Sequence, residues 1–207
     1  MPLITPGAPR AINPHLRRWM LFVDGENLTI RAQKFATENG LVLEEGQCFL
    51  QNVFVWLPGI RATTNILEAA PLGVQETAIR AHYYTSVSGD DMKLQLVRQR
   101  LWDIGFSPEV FKKTRQDEKA KGVDIALCRD LLGHAYRNGY DVAVLVAGDG
   151  DYVPLVEEVR RAGKVVYLGF FSAAGLSTDL RLASDGFFSL DQFFRDQWLR
   201  FAGKEVP

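Results

Sequence analysis

The chain alternates short apolar runs with stretches in which apolar residues recur every three or four positions, and it does so almost from end to end. Apolar runs bounded by Asp, Asn and Gly read as buried strands, and the helical spacing between them supplies the crossovers that parallel strands require. RWMLFVD is the first such strand, ending at Asp24; a helix follows from about Asn27 to Thr37 and is stopped by Asn39-Gly40. AIRAHYYTS is the second strand. DDMKLQLVRQRLWDIG then sets Leu94, Val97, Leu101 and Ile104 on one helical face, and PEVFKK is a short third strand. Polar TRQDEKAKG leads into the helix VDIALCRDLLGHAYRNG, closed by Asn138-Gly139. DVAVLVAG is the clearest strand of all, followed by a helix through Arg161 and a further strand, KVVYLGFF. LSTDLRLAS reads as a short helix, DGFFSL as a short strand or turn, and DQFFRDQWLRFAG as a closing helix. Periodicity does not decide CFLQNVFVWLPG, whose aromatic and branched residues are almost continuous; its place before another strand favours a helix.

This order of elements predicts an α/β domain, doubly wound, with a mainly parallel sheet and helices on both faces. Residues 1–17, rich in proline, are expected to be a tail, and residues 18–202 a single domain that includes the closing helix. With 207 residues, 47% of them hydrophobic, the chain has the material for one substantial core and shows no repeat or linker that would divide it. Two cysteines, Cys48 and Cys128, each among apolar neighbours, suggest neither disulfides nor a thiolate metal site, so a reducing cytoplasm is the expected setting. No apolar run approaches the ~20 residues that span a bilayer. The net charge of -1 offers no overall attraction to nucleic acid, so such a partner has to be met by local basic patches or by metal ions. Oligomeric state is left open, a homo-oligomer included; the aromatic residues of FFSLDQFFRDQWLRF are read as core.

Candidate chemistry lies in the carboxylates. In an open parallel sheet, sites form outside the carboxyl ends of the strands, where strand order reverses. Asp24 and Asp149 both stand at such ends, and Asp151 follows two residues after Asp149 in VAGDGDYV. Any one of them alone would serve as a turn or cap residue. Asp124 shares a helical face with Leu127, Cys128, Leu131 and Ala135, which should point inward. An unpaired ionised carboxylate there is costly, which favours a cation partner over simple complementation of the helix dipole. Asp130 falls off that stripe and is expected to be a solvated helix charge.

FVDGEN, KGVDIALCRDLL and VAGDGDYVPLV resemble the three signatures of the NYN domain family, a branch of the PIN-like nuclease superfamily, and within it the LabA-like bacterial group. The resemblance runs from about Trp19 to Leu190. It implies a PIN-like, Rossmann-like domain in which Asp24, Asp124, Asp149 and Asp151 cluster to bind Mg2+ or Mn2+, with Asn27 close by. The implied activity is that of a metal-dependent phosphodiesterase acting on RNA. Ala147 stands where the family more often has Ser, and Tyr152 where Phe is also common; neither departure removes a carboxylate.

Hard divalent cations prefer oxygen ligands, which Asp supplies on a short side chain, and Gly148 and Gly150 are expected to let the backbone turn tightly around the ion. His15, His82 and His134 have no ligand spacing, and Ser172 and Ser177 no triad context. Metal-activated water is therefore the expected nucleophile, with no covalent enzyme intermediate. Lys112, Lys113, Arg115, Lys119 and Lys121 offer positive charge for the substrate, with an ordinary solvated surface loop an equal reading; Lys121 is the best candidate because it lies about one helical turn before Asp124. Arg31 and Lys34 are a weaker set. The alternative is a non-catalytic RNA-binding or regulatory module whose acidic pocket holds a structural ion. A phosphatase of the haloacid dehalogenase type would need a second Asp two residues after Asp24, where this chain has Glu26.

Overall fold

The computed structural model describes residues 17–58, 76–113, 122–173 and 175–203. In chain order the elements are β1 (Arg17–Asp24), α1 (Gly25–Glu38), β2 (Phe49–Leu50), β3 (Phe54–Val55), β4 (Glu76–Ser88), α2 (Asp91–Asp103) and β5 (Ser107–Lys113). They continue with α3 (Val123–Tyr136), β6 (Val142–Val146), a 3-10 turn (Gly150–Tyr152), α4 (Val153–Arg161), β7 (Val165–Phe170), α5 (Thr178–Ala183), β8 (Gly186–Ser189) and α6 (Asp191–Phe201).

Six strands form one sheet in the order β5-β4-β1-β6-β7-β8, and every neighbouring pair is parallel. Strand order therefore reverses between β1 and β6, the position at which doubly wound sheets open a crevice at their carboxyl edge. β6 is buried at every position, as a central parallel strand covered on both faces must be, which is why VAVLV carries no alternation. Two apolar layers provide the cover. On one face Leu28, Phe35, Val97, Leu101, Phe194 and Trp198 pack from α1, α2 and α6; on the other Leu127, Leu131, Val156, Val159 and Leu180 pack from α3, α4 and α5. The closing aromatic segment is largely core, with Phe188, Phe194 and Trp198 all buried.

Local chemistry sets the helix ends. Asp24 caps α1, Asp90 caps α2 through the Lys93 N–H at 2.9 Å, and Ser177 caps α5. The expected helix in CFLQNVFVWLPG is instead an antiparallel hairpin, with Phe49 opposite Val55 and Leu50 opposite Phe54. Phe49, Val53, Phe54, Val55, Trp56 and Leu57 are all buried, more than the one stripe a surface helix can hide. The Tyr83 hydroxyl donates to the Val55 carbonyl (2.9 Å) and accepts from its N–H (3.2 Å), and Asn52 adopts a positive φ of 58° in the turn. Most of the expected tail, and Arg115, Lys119 and Lys121 of the basic loop, lie outside the described residues.

Candidate active site

Asp24 ends β1 at the switch point and is only 4% exposed. One carboxylate oxygen accepts from the Asn27 N–H (3.0 Å), which is the cap of α1. The other lies 2.9 Å from the Tyr152 hydroxyl, and the same hydroxyl lies 3.0 Å from a carboxylate oxygen of Asp124 on α3. Gly25 makes the turn after Asp24 feasible: a Cβ there would fall 2.1 Å from the Tyr83 ring and 2.6 Å from the Tyr84 carbonyl.

The loop after β6 is tied to the start of α1, because the Asn27 side-chain oxygen accepts from the Gly148 N–H at 2.9 Å. Asp149 then caps the 3-10 turn by accepting from the Asp151 N–H at 3.1 Å, while Asp151 itself is exposed. Gly148 owes its identity to a close approach and not to a special turn. A Cβ there would sit 2.3 Å from the Phe170 ring and 2.8 Å from the Gly175 carbonyl, whereas neither Gly148 nor Gly150 has a positive φ.

A phenol carries one proton, so Tyr152 donates to one of its two carboxylates and needs a proton from the other. Below about pH 6, Asp24 is the group suited to supply it. Burial pushes its carboxyl up to about 6, against the lowering effect of the Asn27 N–H and the Tyr152 hydroxyl, with Asp124 and Glu26 adding repulsion. Burial and the two carboxylates push the Tyr152 phenol up as well, so it keeps its proton.

The sequence-predicted residues thus divide. Asp24 and Asp124 meet on Tyr152, with Asp149 and Asp151 on the segment that leads into it. Asp124, expected to point inward, is exposed instead: the buried face of α3 is made by Val123, Ala126, Leu127, Leu131 and Ala135, and Asp124 meets the interior only through the Tyr152 hydroxyl. Among the described residues no three acidic, His or Cys side chains lie close enough to hold a metal ion as they stand. The donor chemistry still suits a hard cation, since every candidate ligand is a carboxylate and burial disfavours the charge of the most buried of them, a cost that a cation would offset. Lys112 pairs with Asp91 (2.9 Å) at the surface, and Lys113 pairs with Glu26 (2.7 Å) in a half-buried contact. Lys34 reaches Glu38 at 3.7 Å, and the Arg31 guanidinium packs over Gly175. Asp130 is not a solvated charge: it accepts from the Tyr84 hydroxyl (2.9 Å) and pairs with Arg129 (2.8 Å). Burial works to raise its carboxyl, and those two partners outweigh it.

Sequence reasoning missed two residues. Tyr152 stood out only as a departure from Phe, although a tyrosine at a buried helix start has to find a partner for its hydroxyl. Glu26 drew no attention, although it lies two residues from Asp24 and accepts from both Lys113 and Ser86.

A family model described as NYN domain matches residues 18–191. No curated protein matches the chain significantly. Among solved structures, a protein of unknown function from Vibrio parahaemolyticus is similar at a TM-score of 0.57 and 22% identity, over 88% of this chain and 98% of that one. That likeness shows a shared fold.

Proposed function

Because the chain belongs to the NYN domain family, a branch of the PIN-like nucleases, we propose that it is a metal-dependent phosphodiesterase, a ribonuclease that hydrolyses RNA. The observation that carries the reading is the convergence of Asp24 from β1 and Asp124 from α3 on the one hydroxyl of Tyr152, beside the Asp149–Asp151 turn and at the switch point of the sheet. Asp24, Asp124, Asp149 and Asp151 would hold Mg2+ or Mn2+, and a bound ion supplies activated water and offsets the charge that builds on the phosphate.

The chain's own residues prepare that site. Tyr152 holds Asp24 and Asp124 across one hydroxyl, so neither carboxylate is left to rotate freely. Asn27 clamps the β6 loop to α1 through Gly148 and so sets Asp149 relative to Asp24; its amide nitrogen is left to donate to a substrate oxygen. At neutral pH, above the value near 6 for Asp24, the pocket is fully acidic and repels a bare phosphodiester. Lys112, Lys113, Arg115 and Lys121 supply the positive charge that draws the RNA backbone to its rim.

One observation favours a second reading. Tyr152 ties Asp24 to Asp124, and Asp149 accepts from the Asp151 N–H, contacts that a module binding RNA without cutting it would keep for structure alone. The deciding experiment presents RNA and DNA oligonucleotides to the purified chain with Mn2+, with Mg2+ or with excess EDTA. It includes Asp149→Asn and, as a control for charge alone, the exposed Asp179→Asn. Cleavage of RNA with either ion, its loss in EDTA and its loss in Asp149→Asn alone are the expected results. RNA bound but uncut under every condition selects the second reading, and undiminished cleavage by metal-free protein overturns the mechanism.

A further inference from the structure

The carboxyl edge of the sheet holds a second feature, on the β4–β5 side of the acidic pocket. A recess of about 90 Å³ is lined by Gln51 and Asn52 of the hairpin turn, Ser86 and Ser88 of β4, Lys93 of α2 and Lys113 of β5. That is several times the ~10–15 Å³ needed by a single water, and enough for a tetrahedral oxyanion. Ser86 and Ser88 follow Tyr84, the register partner of Asp24, so the recess and the pocket share one sheet edge.

Its polar groups are unusually unfinished. The Ser88 hydroxyl oxygen is shut off from solvent with no hydrogen-bond partner among the described residues, although buried hydroxyls almost always find one. The Lys93 ammonium has no carboxylate partner among the described residues, and its stem lies back over Gly89, where a Cβ would fall 2.8 Å from Lys93 Cδ. Gly89, at a φ of 153°, leaves room for that path. Lys113 is already paired with Glu26, which also accepts from Ser86. Two ammonium groups against one carboxylate leave a single positive charge, the complement of one phosphodiester. The Asn52 side-chain oxygen is taken by Gln33 (3.0 Å), and Gln33 in turn accepts from the Asn52 N–H (2.9 Å), so the strained turn is held and the Asn52 amide nitrogen remains as a donor.

We propose that this recess binds a backbone phosphodiester of a nucleic-acid strand that leaves the acidic pocket across the ends of β4 and β5. Lys93 provides the charge, and Ser88 and Asn52 the neutral donors. The identity of the strand as RNA rests on the function proposed above; the binding itself does not require cleavage.

The test measures binding of a fluorescent single-stranded oligouridylate to the full chain in excess EDTA, over a range of salt. Lys93→Ala should weaken binding about tenfold, as expected for a lost charge-assisted contact, and lower the log–log salt slope by about 0.7. Ser88→Ala should weaken binding while leaving the unliganded chain at least as stable, since it removes an unpaired buried hydroxyl; a purely structural hydroxyl would give the reverse. Unchanged affinity and slope in Lys93→Ala overturn the proposal. So does competition by millimolar inorganic phosphate that Lys93→Ala abolishes while oligouridylate affinity stays as in the wild type, which marks a small-anion site instead. The two proposals fail separately: RNA that the wild type binds through Lys93 but never cuts removes the nuclease and keeps the recess. RNA cut with Mn2+ and bound equally by Lys93→Ala does the opposite.

Discussion

Asp24→Asn isolates the energetic cost of a buried carboxylate that shares one proton with Tyr152. Burial raises the carboxyl of Asp24 from 3.8 to about 6 in the folded chain. Between those values the folded chain holds a proton that the unfolded chain has lost, so this contribution to stability is complete below 3.8 and disappears as pH rises through about 6. At ~1.4 kcal/mol for each tenfold change in proton affinity, the loss amounts to about 3 kcal/mol at neutral pH and above. The substituted amide is neutral throughout and reproduces the protonated pattern: its oxygen accepts from the Asn27 N–H, and its nitrogen donates to the Tyr152 oxygen, leaving the phenol proton for Asp124. Urea unfolding in EDTA should find the variant more stable than the wild type by about 3 kcal/mol near pH 8, with the gap closing to under about 1 kcal/mol near pH 4. With Mn2+ the order should reverse, because only the wild type gains from ligand binding to its native state. A gap that stays constant from acid to neutral pH, or a variant less stable near pH 8, refutes the reasoning.

Three further outcomes are expected. Tyr152→Phe leaves Asp24 and Asp124 without the hydroxyl that lies between them and should lower stability in EDTA by about 1–3 kcal/mol, read by urea unfolding; an unchanged midpoint would mean that the hydroxyl does not span them. His82 is buried between Phe22 and Tyr84, and burial lowers its titration to about 4, so stability present above 6.5 should fall by about 3 kcal/mol as pH drops to 4. His82→Phe should abolish that acid-side loss and expose the opposite slope from Asp24, whereas an unaltered pH profile counts against it. Gly148→Ala drives a methyl against Phe170 and the Gly175 carbonyl and should cost about 1–3 kcal/mol in thermal or urea unfolding; a variant as stable as the wild type contradicts the contact.

The order of strands and helices was legible in the chain because periodicity records which local face is buried, and burial is the largest force acting on each segment. RWMLFVD and DVAVLVAG, with no alternation, belong to the two central strands, and each ends at a carboxylate of the proposed site, Asp24 or the Asp149 loop. The same logic put Leu127, Leu131 and Ala135 on the inward stripe of α3 but wrongly counted Asp124 with them, since a residue in the first turn can share a stripe and still face out. Where every face is buried, periodicity falls silent, and residues 49–57 took the form of a hairpin because Tyr83, distant in sequence, satisfies the backbone of Val55. Partners set by packing between elements were equally invisible: Tyr152 between Asp24 and Asp124, Tyr84 on Asp130, and Lys113 drawn to Glu26. Even Gly148, marked out correctly as special, is special for the Phe170 ring of the next strand and not for a turn around an ion. Sequence spacing determines which side chains share a face; which faces meet, and so which charge finds a proton, a cation or another charge, is decided only when the sheet sets its register and its switch point.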